Sequence, residues 1–259
     1  MVWFKIRSFI AFLWASKNSH GVHSPFVYDL VTKCFNTSAN PAKTAVFKKI
    51  QKALFSNQHS ISITDYGKGS SVFKSNVRKV SDIAKIAGIT PKKAKLLLRM
   101  ADYFNPKNIL EIGTSVGLGT SVLSIGNPDA QIVTLEGCKN TAEVAKAVFS
   151  QNHLNNIELV VGNFNETLAD VLKHQPFDLI YFDGNHQKEA TLNYFNQCLE
   201  AVHNNSVFIF DDIHWSPDMQ MAWEEIKMHP KVSITIDTYF WGMVFFRKEQ
   251  EKQHFTIRV

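Results

Sequence analysis

Asn108-Ile-Leu-Glu-Ile-Gly-Thr-Ser-Val-Gly-Leu-Gly-Thr120 is an apolar run that reaches an acidic residue, Glu111, opens into a loop bearing Gly113, Gly117 and Gly119, and passes into a helical pattern. A strand, a glycine turn and a helix N-terminus in that order let a backbone approach a nucleotide-type cofactor closely. A phosphate-binding loop is excluded, because Gly119-Thr120 lacks the lysine that such loops carry. The usual dinucleotide fingerprint is G-x-G-x-x-G, and here the order is G-x-x-x-G-x-G. Short-chain dehydrogenases share that order, but they need a tyrosine with lysine four residues later. None of the tyrosines beyond the loop has one; Tyr194, for example, is followed at that distance by Cys198.

From 108 onward, short apolar runs alternate with helical segments. Strands are expected at 108–113, 131–136, 157–162, 177–183 and 205–211, with helices at 118–126, 139–152, 165–174, 187–202 and 216–229. That alternation implies a parallel sheet covered on both faces. The stretch 232–246 reads as two strands around Trp241-Gly242, an antiparallel hairpin that closes the sheet.

The strand ends favour S-adenosylmethionine as the cofactor. Glu111 stands two residues before the first glycine, where a carboxylate meets an ammonium group. Glu136 closes the second strand, 23 positions past Gly113, the place for a carboxylate that accepts both ribose hydroxyls. Asn163 and Phe164 follow the third strand and could frame an adenine. The alternative is that each is an ordinary strand-end residue.

The fourth strand ends at Asp183, followed by Gly184, Asn185 and His186, and the fifth ends Phe208-Ile-Phe-Asp-Asp-Ile-His-Trp215. In a parallel sheet these ends lie side by side, so Asp183, Asp211 and Asp212 are expected together, with His186 and His214 close by. Crowded carboxylates repel unless a cation or protons intervene, and three oxygen ligands suit Mg²⁺. The alternative is helix capping without metal.

On the Glu111–Thr120 loop and Tyr181-Phe-Asp-Gly-Asn-His186, residues 108–246 resemble class I S-adenosylmethionine-dependent methyltransferases. The likeness is to metal-dependent O-methyltransferases of the catechol and caffeoyl-CoA type and to sugar O-methyltransferases. The resemblance implies a Rossmann-like, doubly wound seven-stranded sheet with its last strand antiparallel. It implies a cofactor site of Glu111, Gly113, Thr114, Ser115, Gly117, Gly119, Thr120, Glu136, Gly137, Asn163, Phe164 and Asp183, and a divalent metal on Asp183, Asp211 and Asp212. It also implies that His186 is the general base in O-methylation of a small hydroxylated acceptor, with His214 as its reserve. Asn185 departs from the pattern, replacing a common aspartate.

The resemblance leaves residues 1–107 unexplained. They hold 18 Lys/Arg against 4 Asp/Glu, a net of +14, while residues 108–259 carry −9. We expect a helical N-terminal region over 1–105, a cap for substrate or dimerisation, ahead of a cofactor-binding domain over 106–259. Helices are expected at 2–15, 25–36, 41–56, 76–87 and 91–104. The uncharged run from Ser8 to Ser16 is far short of the ~20 residues a spanning helix needs. Residues 2–15 are expected to pack on the body or on a second subunit in a homodimer, with peripheral membrane contact as the alternative. His20 and His23 form a loop that caps structure or touches substrate, and Asp65–Ser70 imitates a second glycine loop without a βαβ unit behind it. Residues 80–98 resemble a helix-turn-helix with Lys92, Lys93 and Lys95 opening its second helix. A nucleic-acid-binding module, or an RNA methyltransferase, is therefore the rival class. Three scattered cysteines without metal-ligand spacing suit a reducing cytoplasm.

Overall fold

The computed structural model describes residues 2–18, 21–64, 75–173 and 176–259. The N-terminal region consists of α1 (Val2–Ala15), α2 (Pro25–Leu30) continuing as a π-helical turn over Val31–Phe35, α3 (Pro41–Ser56), α4 (Val80–Ile86) and α5 (Pro91–Phe104). Side-chain caps and proline in the first turn fix three of these starts: Ser24 before Pro25, Asn40 before Pro41, and Thr90 before Pro91. Asn105 ends α5 in the left-handed conformation, which asparagine tolerates better than most residues.

The expected helix over 76–87 begins later than its periodicity suggests. Its first residues form a strand, β2 (Val77–Lys79), paired antiparallel with β1 (Ser60–Ser62), and the helix starts only at Val80. Tertiary pairing here overrides local propensity. His20 and the Asp65–Ser70 loop lie outside the described residues; His23 is exposed.

Beyond Asn105 the chain alternates as β3 (Asn108–Ile112), α6 (Leu118–Gly126), β4 (Gln131–Glu136), α7 (Lys139–Gln151), β5 (Ile157–Val161), α8 (Phe164–Leu172), β6 (Leu179–Phe182), α9 (Lys188–Cys198), β7 (Val207–Asp211) and α10 (Pro217–Met228). It closes with β8 (Ile234–Asp237), β9 (Trp241–Phe245) and β10 (Gln253–Thr256). Among the described residues the main sheet has eight strands in the order β10-β8-β9-β7-β6-β3-β4-β5, one more than the seven expected. β10 adds itself in parallel beyond β8, and β9 alone runs antiparallel to its neighbours. The hairpin turn falls at Thr238–Phe240, with Tyr239 at φ 73°, not at Trp241-Gly242. Gly242 sits inside β9 because Trp223 packs flat on it; a Cβ there would lie 2.6 Å from the indole.

Alternate strand residues divide between two cores. Leu110, Ile112, Ile180 and Phe210 face α8, α9 and α10, whereas Ile109, Tyr181 and Ile209 join a core continuous with Val27, Leu30, Phe47 and Leu97 of the N-terminal helices. The N-terminal region thus shares its interior with the sheet. α1 lies on the body through Ser8 and Phe12. Phe9 and Phe12 pack on Tyr239 at 4.9 and 5.5 Å, and the Tyr239 hydroxyl donates to the Lys5 carbonyl at 3.0 Å. No helix among the described residues is long and apolar enough to cross a membrane.

Strand order reverses between β3 and β6, the position at which sheets of this kind bind ligands outside the C-terminal strand ends. Gly113, at φ 111°, lets the loops after β3 and β6 meet: a Cβ there would lie 2.6 Å from the Asp183 carbonyl oxygen. Gly113→Ala should therefore cost roughly 3 kcal/mol or more. A calorimetric Tm lowered by about 6–12 °C is expected, and an unchanged Tm would contradict this packing.

Candidate active site

The C-terminal ends of β3, β4, β6 and β7 deliver the expected residues to one edge. Glu111 is completely buried beneath the glycine loop. Its Oε2 accepts hydrogen bonds from Thr120 and, at 2.6 Å, from Thr134, whose hydroxyl is in turn 2.6 Å from that of Thr114. Its Oε1 is buried with no hydrogen-bond partner among the described residues. Gly119 keeps that oxygen open, since a Cβ there would lie 2.7 Å from it. Burial pushes the Glu111 carboxyl up to about 7, against the two threonine bonds that hold it down.

Gly117, left-handed at φ 85°, starts α6, whose N-terminus has no side-chain cap. Glu136 braces the loop: its carboxylate accepts from the Ser115 N–H at 2.8 Å and the Cys138 N–H at 2.9 Å. Gly137 lies between these two anchors. Asn163 caps α8, accepting from the Asn165 N–H at 3.0 Å. Phe164 packs edge-on against Tyr194 and over Gly184, where a Cβ would lie 2.9 Å from its ring.

The acidic residues gather as expected, around a cation that the sequence reading assigned elsewhere. Lys93, from the first turn of α5, directs its ammonium into the cluster. It pairs with Asp211 Oδ1 and lies 3.4 Å from Asp212 Oδ1, with its side chain only 16% exposed. Asp211 Oδ1 also accepts the Asp212 N–H at 2.8 Å, and its Oδ2 accepts the Tyr181 hydroxyl at 3.4 Å. Burial of the Lys93 ammonium works to lower its pKa, but Asp211, Asp212 and Asp183 together outweigh burial and raise it. Burial, followed by the charge of Asp211, raises Asp183 well above the usual carboxylate range. The same two causes raise Asp212, with Lys93 and His186 opposing them. One ammonium does not neutralise three carboxylates, so the cluster holds protons that isolated acids would lose.

The two histidines part company. Left-handed Asn185, at φ 51°, turns the chain so that His186 Nε2 stands 4.0 Å from Asp183 Oδ1, with its ring part-exposed. His214 is nearly buried, stacks on Tyr239 at 5.3 Å, and bonds through Nε2 to Asp237 Oδ2 at 2.8 Å. Its Nδ1 is buried without a hydrogen-bond partner among the described residues. Lys93, Tyr181, Asp237 and Tyr239 were missed as site residues; Lys93 was read instead as a surface cation of a helix-turn-helix. Among the described residues no group of three or more His, Cys, Asp or Glu side chains is placed to hold a metal ion.

Comparison with known proteins bears on the fold. The model of a methyltransferase-domain family matches residues 110–213. The chain is 30% identical over 135 residues to a catechol O-methyltransferase of Mycobacterium tuberculosis, covering 51% of this chain and 60% of that protein. It is 26% identical over 129 residues to a catechol O-methyltransferase of Niastella koreensis, covering 48% and 58%. The chain thus spans less than two thirds of the length of these curated relatives. Among solved structures, an SAH-bound methyltransferase of Podospora anserina superposes with a TM-score of 0.60 at 16% identity, covering 88% of this chain and 97% of that one. An O-methyltransferase of Bacillus cereus in complex with SAH gives 0.56 at 20% identity, covering 85% and 95%. The fold is the Rossmann-like class I methyltransferase fold, as the sequence led us to expect.

Glu111 makes the site's pH dependence specific. Its folded pKa of about 7 exceeds the ordinary 4.5, so between those values the folded chain holds a proton that the unfolded chain has lost. Stability should fall as pH rises through this window, by an amount on the order of 3 kcal/mol. Urea unfolding from pH 4 to 8 should show Glu111→Gln gaining on the parent across the window, with a constant difference above it. Parallel curves would contradict the assignment.

Proposed function

We propose that the chain is an S-adenosylmethionine-dependent O-methyltransferase acting on a small hydroxylated acceptor. The observation that carries this reading is the buried, unpartnered Glu111 Oε1 beneath an open glycine loop: an acceptor lacking a donor, where a cofactor's ammonium would complete it. Glu136, anchored to the loop through Ser115, stands at the end of β4, where a carboxylate would meet the ribose hydroxyls. Thr114 and the start of α6 border the place for the amino-acid end, and Phe164 offers an apolar face beside it. When bound, S-adenosylmethionine supplies a methyl group on a sulfonium, which passes to an oxygen nucleophile as the C–S bond breaks.

The chain's own residues do the remaining work. The C-terminal edge of the sheet at β3 and β6 aligns the acceptor, which removes much of the entropic cost of the encounter. His186, part-exposed and beside Asp183, accepts the hydroxyl proton at Nε2 as the new C–O bond forms. His214, held by Asp237 and stacked on Tyr239, serves as a wall, with no open path for a proton to its buried Nδ1. The resemblance implies a divalent ion on Asp183, Asp211 and Asp212. These residues do not fit one as they stand, because Lys93 and Tyr181 already occupy the oxygens of Asp211.

The rival nucleic-acid reading keeps two of its three lysines at the start of α5, Lys92 and Lys95, since Lys93 is turned inward. Three buried free thiols, with burial pushing Cys34 up to about 12, suit a reducing cytoplasm.

Two measurements test this reading. Calorimetry should detect S-adenosylhomocysteine binding that Glu136→Ala weakens at least ~10-fold, the order expected from losing a charge-assisted contact. Transfer of labelled methyl to a panel of hydroxylated compounds should fall at least ~100-fold in kcat for His186→Ala, with cofactor affinity kept. Absence of S-adenosylhomocysteine binding would overturn the proposal.

A further inference from the structure

We infer that Lys93 is the resident cation of the acceptor site, standing where related enzymes of this chemistry would use a divalent metal. The inference rests on the proposed function only for its catalytic consequence. Thr90 and Pro91 fix where α5 begins, and buried Ala94 and Leu97 fix its rotation, so Lys93 projects toward the end of β7. There its ammonium pairs with Asp211 and stands 3.4 Å from Asp212. The Phe240 ring, 5.7 Å away, adds a second attraction for the cation. A divalent ion ligated by these acids would stand within ion-pair distance of the ammonium, and like charges at that range repel. An ammonium differs from a metal in what it can hold. Two of its three N–H donors are directed at Asp211 and Asp212, which leaves one for an acceptor oxygen, whereas a metal with open positions chelates two. The site therefore selects for a single hydroxyl beside Asp183 and His186, without requiring a vicinal pair.

The test measures metal binding on the whole protein, apart from turnover. Mn²⁺ titration followed by electron paramagnetic resonance should show no site in the parent, whose Tm should be indifferent to Mg²⁺ and to chelator. Lys93→Ala should gain Mn²⁺ affinity at least ~10-fold and be stabilised by Mg²⁺. Lys93→Met provides the same readout if the alanine variant does not fold. Mn²⁺ binding by the parent, or no gain in a folded variant, would overturn the inference. S-adenosylhomocysteine binding, measured alongside, reports separately on the proposed function.

A different observation carries a second proposal. We propose that α1 docks on an anionic lipid surface. Trp3, Ile6, Ile10, Leu13 and Trp14 recur at helical spacing on the side turned away from the body, and Trp3 and Trp14 are 84% and 89% exposed. A helix on a solvated surface shows the reverse pattern, with polar residues outward. Residues 2–18 contain Lys5, Arg7 and Lys17 and no acidic residue. The neighbouring acids of α10, Glu224 and Glu225, are paired with Lys227 and Lys188. Tryptophan at both ends of an apolar stripe flanked by cations matches a membrane interface. Lys5 lies 3.1 Å from the centre of the Trp215 ring and feels the charge of Asp212, so the docked helix would border the acceptor side.

Sedimentation with phosphatidylcholine vesicles, with and without about one third phosphatidylglycerol, tests this docking. Binding is expected only to the anionic vesicles, weakened at least ~10-fold by Trp3→Ala/Trp14→Ala and by high salt. No binding to anionic vesicles would overturn it. A dimer in light scattering that the double variant dissociates would also overturn it, assigning the face to a second copy.

Discussion

The ammonium of Lys93 among three carboxylates is the interaction on which the arrangement of this protein turns. It joins the first turn of α5 to the end of β7 and thereby locks the N-terminal helices onto the ligand edge of the sheet. A buried charge is costly unless it is paired and hydrogen-bonded, and each member of this cluster meets that condition through another. The shared core between α2, α3, α5 and the sheet supplies the apolar burial; the cluster supplies the register.

Two buried electrostatic problems lie on neighbouring strands and are solved differently. Glu111 stands alone under the glycine loop, half satisfied by threonines, with one oxygen left without a hydrogen bond among the described residues. The aspartates have a cation built in. The first arrangement calls for a ligand bearing a donor, whereas the second already holds one ammonium against its carboxyl groups. A methyl donor with an ammonium on one side and an acceptor hydroxyl on the other would complete both, with the transfer point between them. Gly113 makes this proximity possible by letting the β3 and β6 loops touch.

Most of the fold was legible in the chain. Hydrophobic runs gave β3 through β7, glycines marked the loop, and proline with its capping residue marked α2, α3 and α5. Misreadings arose where tertiary contacts overrule local pattern. Gly242 looks like a turn residue but sits mid-strand to admit Trp223, and Val77–Lys79 looks helical but pairs with β1. β10, mostly polar and at the sheet edge, carries little apolar signal. At the site, strand ends are adjacent by topology, so Asp183, Asp211 and Asp212 could be brought together from spacing alone. Lys93 could not: 118 residues separate it from Asp211, and its neighbours Lys92 and Lys95 make it look like one of a surface set. Only the rotation of α5, set by Ala94 and Leu97, singles it out.

The most direct test of the account is a crystal structure of the whole chain with S-adenosylhomocysteine, grown with Mn²⁺ and measured at the manganese edge. The account predicts the ligand lying between the glycine loop and Glu136, its ammonium near Glu111. It also predicts no anomalous peak among Asp183, Asp211 and Asp212, with Lys93 still paired to Asp211. An anomalous peak among those carboxylates with Lys93 displaced would contradict the resident-cation claim. A glycine loop left empty at saturating ligand would contradict the methyltransferase reading itself.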